Sequence, residues 1–520
     1  MRRSATLEKN PKSLPAGSPK EAVRNASPPL WHVFRVDLRS LAAFRIAISL
    51  VLLWDLWARA RDLEAHYTDA GVLPRKVLYD FFLSRRPYFS VHILHGSAQF
   101  EAALFCIAAA CVLALLLGYR TWFATLGCWF LTCSLHARNP LILHGGDDIL
   151  RMLLFWAMFV PLGARWSMDS RTARIEGDVD GVCSWGTAGL MLQLCFVYLF
   201  SGALKSHPSW RHDGTAVYLA LSIDQFTTSL GRALLPYHSL LWAFTFGTLA
   251  LEMAGPFVAL FSYESAKVRT LMALAFIGFH IGLSLCIELG IFPAVCMAGW
   301  LVFLPGPAWD ALERRIRPVL KGRFQGFNVE SEPPSAAVGT PASRPIRVRL
   351  SLAGNIVAGV ALFYIVLWNV RAGNFDRMSR FFPRRLNVIG EVARIDQYWN
   401  LFAPYPSLEH GWYVLDAHLA DGTEVDMLTG RPVTWEKPPL VSATYRNERW
   451  RKYLMNLWTE DYSRYRPFYA QYLQRTWNRS HPVRQRLSRL EITFVLETAL
   501  PNYALSPRKH VKLWQQNWPQ

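Results

Sequence analysis

The sequence predicts a polytopic α-helical membrane bundle, followed by a β-rich α+β domain that lies outside the membrane. Hydrophobic residues make up 52% of the 520 residues and charged residues 18%, whereas soluble proteins carry about 25% charged residues. Long apolar runs recur between Leu41 and Leu304. From Arg371 onward the composition becomes that of a water-soluble domain. Together these three observations favour a membrane protein with an appended domain.

About nine apolar segments are long enough to cross a bilayer core of roughly 30 Å, which takes about 20 residues of helix. The predicted spans are residues 40–58, 98–118, 121–137, 147–164, 186–205, 238–261, 269–289, 290–305 and 351–370. The eighth span begins where the seventh ends. If that pair is one re-entrant element, everything after it moves to the other side of the membrane.

Basic residues predict the orientation of these spans. The first 39 residues carry eight Lys and Arg against three Asp and Glu, and the segment from Arg314 to Arg349 carries another eight. Basic connections of this kind stay in the cytoplasm and contact anionic lipid. We therefore expect a cytoplasmic N-terminus, an extracytoplasmic C-terminal domain and the lipid bilayer as a partner. The net charge of +18 lies largely beside the spans, so no nucleic-acid partner is expected.

The domain organisation follows from these segments. The predicted units are a basic cytoplasmic tail (residues 1–37), a transmembrane domain (38–305), a basic, proline-rich cytoplasmic linker (306–350), a final transmembrane helix (351–370) and an extracytoplasmic β-rich domain (371–520). The stretch from Ser331 to Ser343, with three prolines, is typical of a linker. Because the first apolar run follows about 40 polar residues, we expect a retained anchor and no cleaved signal peptide.

Alternation and turn signals predict the elements of the C-terminal domain. Trp412 to Leu419 is typical of a strand, Asp421-Gly422 of a hairpin turn, and Thr423 to Leu428 of the partner strand. Aromatic and basic residues at helical spacing predict helix within Tyr445 to Trp477. A further strand is predicted at Leu490 to Leu496.

The cysteines and acidic residues do not indicate a metal site. Eight cysteines occur, but none forms a C-x-x-C pair and none follows Cys296, so structural zinc and a disulfide-stapled domain are unsupported. His144, Asp147 and Asp148 offer nitrogen and oxygen ligands, yet nothing beside them completes a recognisable set. We expect no metal.

Charged side chains within the apolar segments are the main candidates for function, because a charge in lipid is costly and therefore faces protein or water. They form two expected layers. The outer layer comprises Asp55, Asp147, Asp148, Arg151, Lys205 and Glu288. The inner layer comprises Arg45, Glu252 and His280.

Each of these residues also has a structural interpretation. Arg45 and an opposite charge can pair simply to hold helices together. Asp147 and Asp148 follow Gly145-Gly146, where carboxylates cap free amides and complement the helix dipole. His280 in an apolar helix is commonly a hydrogen-bonded core histidine. The sequence leaves these alternatives open.

Lys205 ends a predicted apolar helix that starts at Gly186 and is followed by a polar, aromatic loop. A lysine at a bilayer edge commonly extends its ammonium to the headgroups. If it is desolvated there, it loses its proton near neutral pH and serves as a base. Trp210 follows as an interfacial ring able to cover the amine, and we expect Asp55 and Glu288 beside it.

Four blocks of sequence occur in a recognisable order. The first runs from Arg138-Asn139-Pro140 through Gly145-Gly146-Asp147-Asp148 to Trp166-Ser167-Met168-Asp169. The second is Tyr198 to Trp210, in which Lys205 stands three residues after Gly202. The third is Leu251-Glu252-Met253-Ala254-Gly255, and the fourth combines Phe279-His280 with Gly290-x-Phe292-Pro293. Together they resemble the HTTM membrane proteins, the group that includes vitamin K-dependent gamma-glutamyl carboxylase. The resemblance covers about residues 35–305. It reaches the C-terminal domain through Trp399-Asn400-Leu401-Phe402-Ala403-Pro404.

The resemblance implies a carboxylase-like membrane enzyme. In that family a lysine deprotonates reduced vitamin K, the quinol reacts with oxygen, and the resulting base removes a γ-proton from a peptide glutamate so that carbon dioxide adds. It implies Lys205 and His280 as catalytic residues, reduced vitamin K or another lipid quinol with O₂ and CO₂ as cofactors, and a glutamate-bearing peptide or protein as partner. The residues implied for substrate or quinol binding are Trp210, His144, Asp147, Asp148, Arg151 and Glu252.

The chain departs from the animal enzymes at three positions of these blocks. Pro140 stands where they have histidine, and Leu283 where they have asparagine. Where they have a double lysine, this chain has Leu204-Lys205. Two other functions therefore stay open beside the predicted quinol-dependent enzyme. One is a non-catalytic maturation or interaction factor that kept the fold. The other is a transporter, which intramembrane charges suit, although no inverted repeat and no broken helix pair is evident in the sequence.

Overall fold

The computed structural model describes residues 29–172, 180–323, 350–373, 382–500 and 503–519. Most of the predicted N-terminal tail and the predicted linker at Ser331 to Ser343 lie outside these residues. The described chain forms an α-helical bundle that continues into an antiparallel sheet with associated helices.

The bundle is built from helices labelled α1 to α10. They are α1 (Leu38–Ala60), α2 (Ala98–Leu117), α3 (Thr121–Arg138), α4 (Gly145–Ala157), α5 (Trp185–Leu204), α6 (His238–Phe261), α7 (Ala266–Cys286), α8 (Phe292–Trp300), α9 (Gly306–Arg323) and α10 (Leu352–Ala372). Short helices lie between them at Leu63–Tyr67, Arg75–Phe81, Met168–Thr172, Pro208–Arg211, Ala216–Ser222 and Ser229–Leu234. A two-residue strand pair joins Val36–Asp37 to Gly181–Val182.

Six helices of the described chain are long and apolar enough to cross a membrane: α1, α2, α5, α6, α7 and α10. A seventh span results if α8 and the start of α9, which are bent by 101° relative to each other, count as one. These helices indicate a multi-pass membrane protein. The expected nine spans are not confirmed, and the side on which each terminus lies stays a prediction.

The three remaining expected spans differ from the others in polarity or length. α3 carries His136 and Arg138 among its buried residues, and α8 has only nine residues. α4 has 13 residues, which is about 20 Å of helix and too short for a bilayer core. Its residues from Ile149 to Ala157 are all buried, so this apolar run fills the centre of the protein and does not face lipid.

α5 occupies a central position, because it packs against α4, α6 and α10. Its contact with α4 is close: a Cβ added at Gly189 would lie 2.2 Å from the Trp156 ring. A Cβ at Gly299 of α8 would lie 3.1 Å from Leu194 of α5. Small residues at such contacts let helix backbones approach each other in membrane bundles. The first half of α5 is thereby held inside the protein.

The C-terminal domain carries a four-stranded antiparallel sheet in the order β2–β1–β3–β4. Its strands are β1 (Glu409–Leu419), β2 (Glu424–Asp426), β3 (Leu487–Thr498) and β4 (Lys509–Asn517), and its helices are a short one at Asn387–Val392, α11 (Glu448–Trp458) and α12 (Arg466–Ser480). Gly422 in the β1–β2 turn has φ of 85°, which glycine adopts without strain. The expected hairpin, helices and third strand are confirmed. β4 is largely exposed and polar, and the sequence does not indicate it.

The apolar core of this domain extends into the loop between α1 and α2. Trp412 and Tyr453 of the domain belong to one buried cluster with Tyr67 and Leu78 of that loop. Aromatic side chains of this size bury large areas and contribute strongly to such contacts. The domain is therefore fixed on the end of the bundle from which this loop emerges.

The segment between α10 and the sheet enters the bundle. Ile395 and Trp399 belong to the bundle core. The Gln397 side chain is buried there and accepts hydrogen bonds from Gln193 of α5 and from Trp399, each at 2.7 Å. The Trp399 to Pro404 block thus starts in the interior of the bundle. A domain boundary drawn at residue 371 separates segments that pack together.

Candidate active site

A cavity of about 370 Å³ lies where α5, α6 and α7 meet the part of the protein that follows α10, here called the C-terminal chain. Its walls are mainly apolar, with contributions from Phe279, Leu283 and Phe292 of the bundle and Leu401 and Phe402 of the C-terminal chain. Five of the eight residues predicted for the site line it, namely Lys205, His280, Trp210, His144 and Glu252. The structure therefore brings together residues from all four sequence blocks.

Lys205 and Glu252 form a buried ion pair in the wall of this cavity. The ammonium donates to the two carboxylate oxygens at 2.8 and 2.6 Å, and to Ser201 Oγ at 2.8 Å. The two side chains are only 2% and 8% exposed. Because Lys205 belongs to the expected outer layer and Glu252 to the inner one, the two expected layers are not separate here.

Local sequence explains how this pair is placed. A Cβ added at Gly202 would lie 2.7 Å from Met253 Sδ, so the glycine lets α6 approach and bring Glu252 beside Lys205. The end of α5 is capped by Arg211, whose guanidinium donates to the carbonyls of Lys205 at 2.7 Å and Gly202 at 2.9 Å. A cation at a helix C-terminus satisfies free carbonyls and complements the helix dipole.

Lys205 follows the last residue of the α5 span, and two opposite influences act on its amine. Burial lowers the pKa of Lys205 from its ordinary value of 10.5, and the Glu252 carboxylate opposes that shift. The amine lies 4.9 Å from the centre of the Trp210 ring. Trp210 Nε1 donates to the carbonyl of Phe402 at 3.0 Å, so the ring that covers the amine is itself held by the C-terminal chain.

His280 on α7 is oriented by a chain of hydrogen bonds. Trp300 Nε1 donates to the Tyr198 hydroxyl at 2.8 Å, and that hydroxyl lies 2.6 Å from His280 Nε2. An indole N–H is only a donor, so the hydroxyl keeps its own proton for His280 Nε2. The neutral imidazole then carries its proton at Nδ1, which is buried and has no partner among the described residues. Because the ring lines the cavity, an acceptor would come from a molecule bound there.

Asp147, although predicted for binding, lies outside the lining of the cavity. It accepts from Arg449 at 2.6 and 2.9 Å and also from Arg59. At the start of α4 it accepts from the backbone N–H of His144 at 2.8 Å, which is the capping role that the sequence left open. The residue thus joins the bundle to α11 of the C-terminal domain.

Asp148 and Arg151 are also outside the lining of the cavity. They pair with each other at 3.1 Å, and Arg151 further contacts Asp396 at 3.5 Å. Asp396 lies on the segment that enters the bundle, so these contacts hold that segment against α4. A role of these two residues in binding stays a prediction.

The carboxylates expected beside Lys205 lie elsewhere, and that expectation is wrong. Asp55 pairs with Arg449 at 2.7 Å, and Glu288 pairs with Arg451 at 3.0 Å. The expectation compared depth along separate helices, whereas an ion pair forms only where two helix faces meet. Both arginines belong to α11, which the sequence does not place near these acids.

Arg45 of the expected inner layer is likewise apart from Glu252 and His280. Its guanidinium donates to the carbonyls of Leu162 and Trp166. These carbonyls lie in the turn after α4. The residue holds that turn and does not line the cavity.

The cavity wall formed by α11 contains residues that the sequence does not single out. Glu448, Arg451 and Lys452 line it. The basic and aromatic composition of Tyr445 to Trp477 is the available signal, but composition does not tell which side chains face inward. His144 lies close to this wall, since a Cβ at Gly290, whose φ is 58°, would lie 2.8 Å from His144 Nε2 and 2.9 Å from Glu448.

Two groups of acidic and histidine side chains in the described residues have the spacing of metal ligands. They are Asp55, His136 and Asp147, and Asp224, His410 and Glu497. In the first group Arg59 and Arg449 already pair with the carboxylates. In the second, Lys437 lies 2.7 Å from Asp224 and 2.6 Å from Glu497. Cationic side chains balance these acids, so both groups fit ion pairing better than metal binding.

Comparison with known proteins gives one match. The family model of the HTTM domain matches residues 34–309, which is more than half of the chain. The matched region contains α1 to α8 and, with them, Lys205, Glu252 and His280. No curated protein and no solved structure matches the chain significantly.

Proposed function

Because the chain belongs to the HTTM domain family, we propose that it is a carboxylase-like membrane enzyme. In this proposal it uses reduced vitamin K or another lipid quinol, with O₂ and CO₂, and modifies a glutamate-bearing peptide or protein. The observation that carries the proposal is the buried Lys205 amine, which contacts Glu252 and Ser201 in the wall of an apolar cavity. A snorkelling lysine would instead extend to the headgroups.

The cavity suits the head group of a quinol. Its volume of about 370 Å³ falls within the range of roughly 300–1,000 Å³ that is usual for small-molecule sites. Apolar side chains form most of its surface, while Lys205 and the Nδ1–H of His280 offer polar groups to two oxygen atoms. A bound quinol would supply, on reaction with oxygen, the strong base that the γ-carbon of glutamate requires.

The residues of this chain would bind, orient and move protons. Lys205, when its amine is neutral, takes the proton of a bound hydroxyl. Glu252 and Ser201 then accept hydrogen bonds from the ammonium and stabilise it. The His280 N–H holds the second oxygen. Trp210 and the apolar walls exclude water, which would otherwise quench a strong base.

The side of the membrane on which this takes place follows from the orientation that we predict from basic residues. Trp210 binds the Phe402 carbonyl, so Lys205 and the C-terminal domain are on the same side of the bundle. With a cytoplasmic N-terminus and an extracytoplasmic C-terminal domain, the cavity faces secreted or membrane-bound substrates.

The proposal is tested by oxygen-dependent oxidation of reduced vitamin K by the purified full chain in detergent. The wild-type protein should oxidise the quinol, and Lys205→Ala should not. Lys205→Arg should also be inactive, because a guanidinium stays protonated. Lys509→Ala, at an exposed residue outside the cavity, is the control and should keep full activity. An inactive wild-type protein would favour the non-catalytic interaction factor, and an active Lys205→Arg would reject Lys205 as a base.

A further inference from the structure

The wall formed by α11 has a basic group that the proposed proton transfers do not use. Lys452 is partly buried and lines the cavity next to Arg451. Burial and the neighbouring Arg451 lower the pKa of the Lys452 amine, and the charges of Asp148 and Asp147 oppose that shift. Within the described chain, no carboxylate oxygen lies within 4.0 Å of Lys452 Nζ.

The charged neighbours of Lys452 are already paired with other groups. Arg451 donates to Glu288 at 3.0 Å. Glu448 stands one helical turn before Lys452, a spacing at which glutamate and lysine commonly pair. Its carboxylate instead contacts Arg449 at 3.8 Å. Among the residues that the structure describes, Lys452 thus has no carboxylate within ion-pair distance, and Glu448 of the same cavity wall pairs elsewhere.

We propose that this wall is a subsite for a carboxylate of the substrate, held by Lys452 with Arg451 beside it. A partly buried ammonium without a partner is unfavourable, and a charge-assisted hydrogen bond to a carboxylate offsets that cost. The inference rests on the proposed function and adds the recognition step. An acidic side chain of a peptide binds at α11, so its γ-carbon lies within the cavity that Lys205 faces from the bundle wall.

Binding of two blocked pentapeptides to the purified full chain in detergent tests the subsite. One peptide carries a single central glutamate among apolar residues, and the other carries glutamine at that position. The wild-type protein should bind the glutamate peptide about tenfold more tightly or better, a difference of ~1.4 kcal/mol. Lys452→Gln should abolish this preference. Lys509→Gln, which removes the same charge at an exposed position outside the cavity, should retain it.

Equal affinity of the wild-type protein for the two peptides would overturn the subsite, as would a preference that survives in Lys452→Gln. The first comparison needs no variant, so a misfolded Lys452→Gln protein leaves the proposal testable. Quinol oxidation without peptide, measured on the same preparations, separates the two proposals. Its absence in the wild-type protein counts against the proposed function, while the peptide preference still decides the subsite.

Discussion

Lys205 of the α5 end and Glu252 of α6 form an ion pair in which the ammonium donates to both carboxylate oxygens, at 2.8 and 2.6 Å. Both side chains are less than a tenth exposed. Charges buried in this way depend on each other, because removing one leaves the other without a partner in a medium of low dielectric constant. Each charge is therefore needed to stabilise the other and, in the proposed function, the pair contributes to reactivity.

Lys205→Met should lower the thermal unfolding temperature in detergent, because a stranded buried carboxylate costs about 3–5 kcal/mol. The double variant Lys205→Met/Glu252→Leu should recover much of this loss, since it removes both charges. Leu251→Ala, next to Glu252 on the same helix, is the control for a simple loss of packing. Losses that add in the double variant would contradict the coupling of the two residues.

Tyr198→Phe should lower quinol oxidation by about two- to tenfold, the worth of a hydrogen bond of roughly 0.5–1.5 kcal/mol, because His280 Nε2 loses its donor. Tyr198 is a positioning residue that acts through the imidazole. Tyr198→Phe should therefore have no further effect in a His280→Gln background. Tyr364→Phe removes a hydroxyl that donates to the Leu386 carbonyl at 2.9 Å away from the cavity, and it should leave the rate unchanged. A further loss in the His280→Gln background would reject the positioning role.

Arg449→Met should destabilise the protein strongly, because it leaves Asp55 and Asp147 with one arginine fewer in the buried contact between bundle and C-terminal domain. Arg446→Met is the matched control from the same segment. The Arg446 side chain is 59% exposed and pairs at 3.0 Å with the buried Asp62. Asp62 keeps a hydrogen bond from Asn447 at 2.6 Å, so Arg446→Met should cost less stability than Arg449→Met. Thermal unfolding and limited proteolysis of the two variants measure the difference. Equal losses would mean that the buried contact does not hold the domain.

Asp224→Asn should destabilise the protein in a pH-dependent way. Burial alone would raise the pKa of Asp224, but hydrogen bonds from His410 and Lys437, both at 2.7 Å, hold it below its ordinary value of 3.8. A carboxyl whose pKa falls on folding stabilises the protein above its ordinary pKa, and this stabilisation is lost as the pH falls through the folded value. The variant should unfold at a lower temperature than the wild-type protein at pH 7, and the gap should close below about pH 4. A constant gap down to pH 3 would show that charge plays no part.

A reporter that is active only in the cytoplasm, fused after Gln520, should give no signal. The expectation rests on the basic residues that flank the spans. A reporter of the opposite specificity at the same position should be active and serves as the control. If the cytoplasmic reporter is active, Lys205 and the C-terminal domain both face the cytoplasm, because Trp210 binds the Phe402 carbonyl.

The length and composition of the apolar runs were enough to predict the helical bundle, and alternation was enough to predict β1, β2 and β3. Both signals are local, so they can be read without knowing what packs beside them. The number of membrane spans was harder to predict from the sequence. The run from Ile149 to Ala157 is apolar except for Arg151, yet it is buried on all sides within the bundle. No local signal separates an apolar helix surrounded by protein from one surrounded by lipid.

By itself, the sequence determined the class of this protein and suggested eight candidate site residues. Five of them line one cavity in the structure: Lys205, His280, Trp210, His144 and Glu252. Only the tertiary structure decided their partners. Lys205 pairs with Glu252 and not with Asp55 or Glu288, Tyr198 orients His280, and Lys452 reaches the cavity from α11. The physical reason is that apolar and helical character is a property of neighbouring residues in the chain, whereas the partner of a buried charge depends on which faces of distant elements meet.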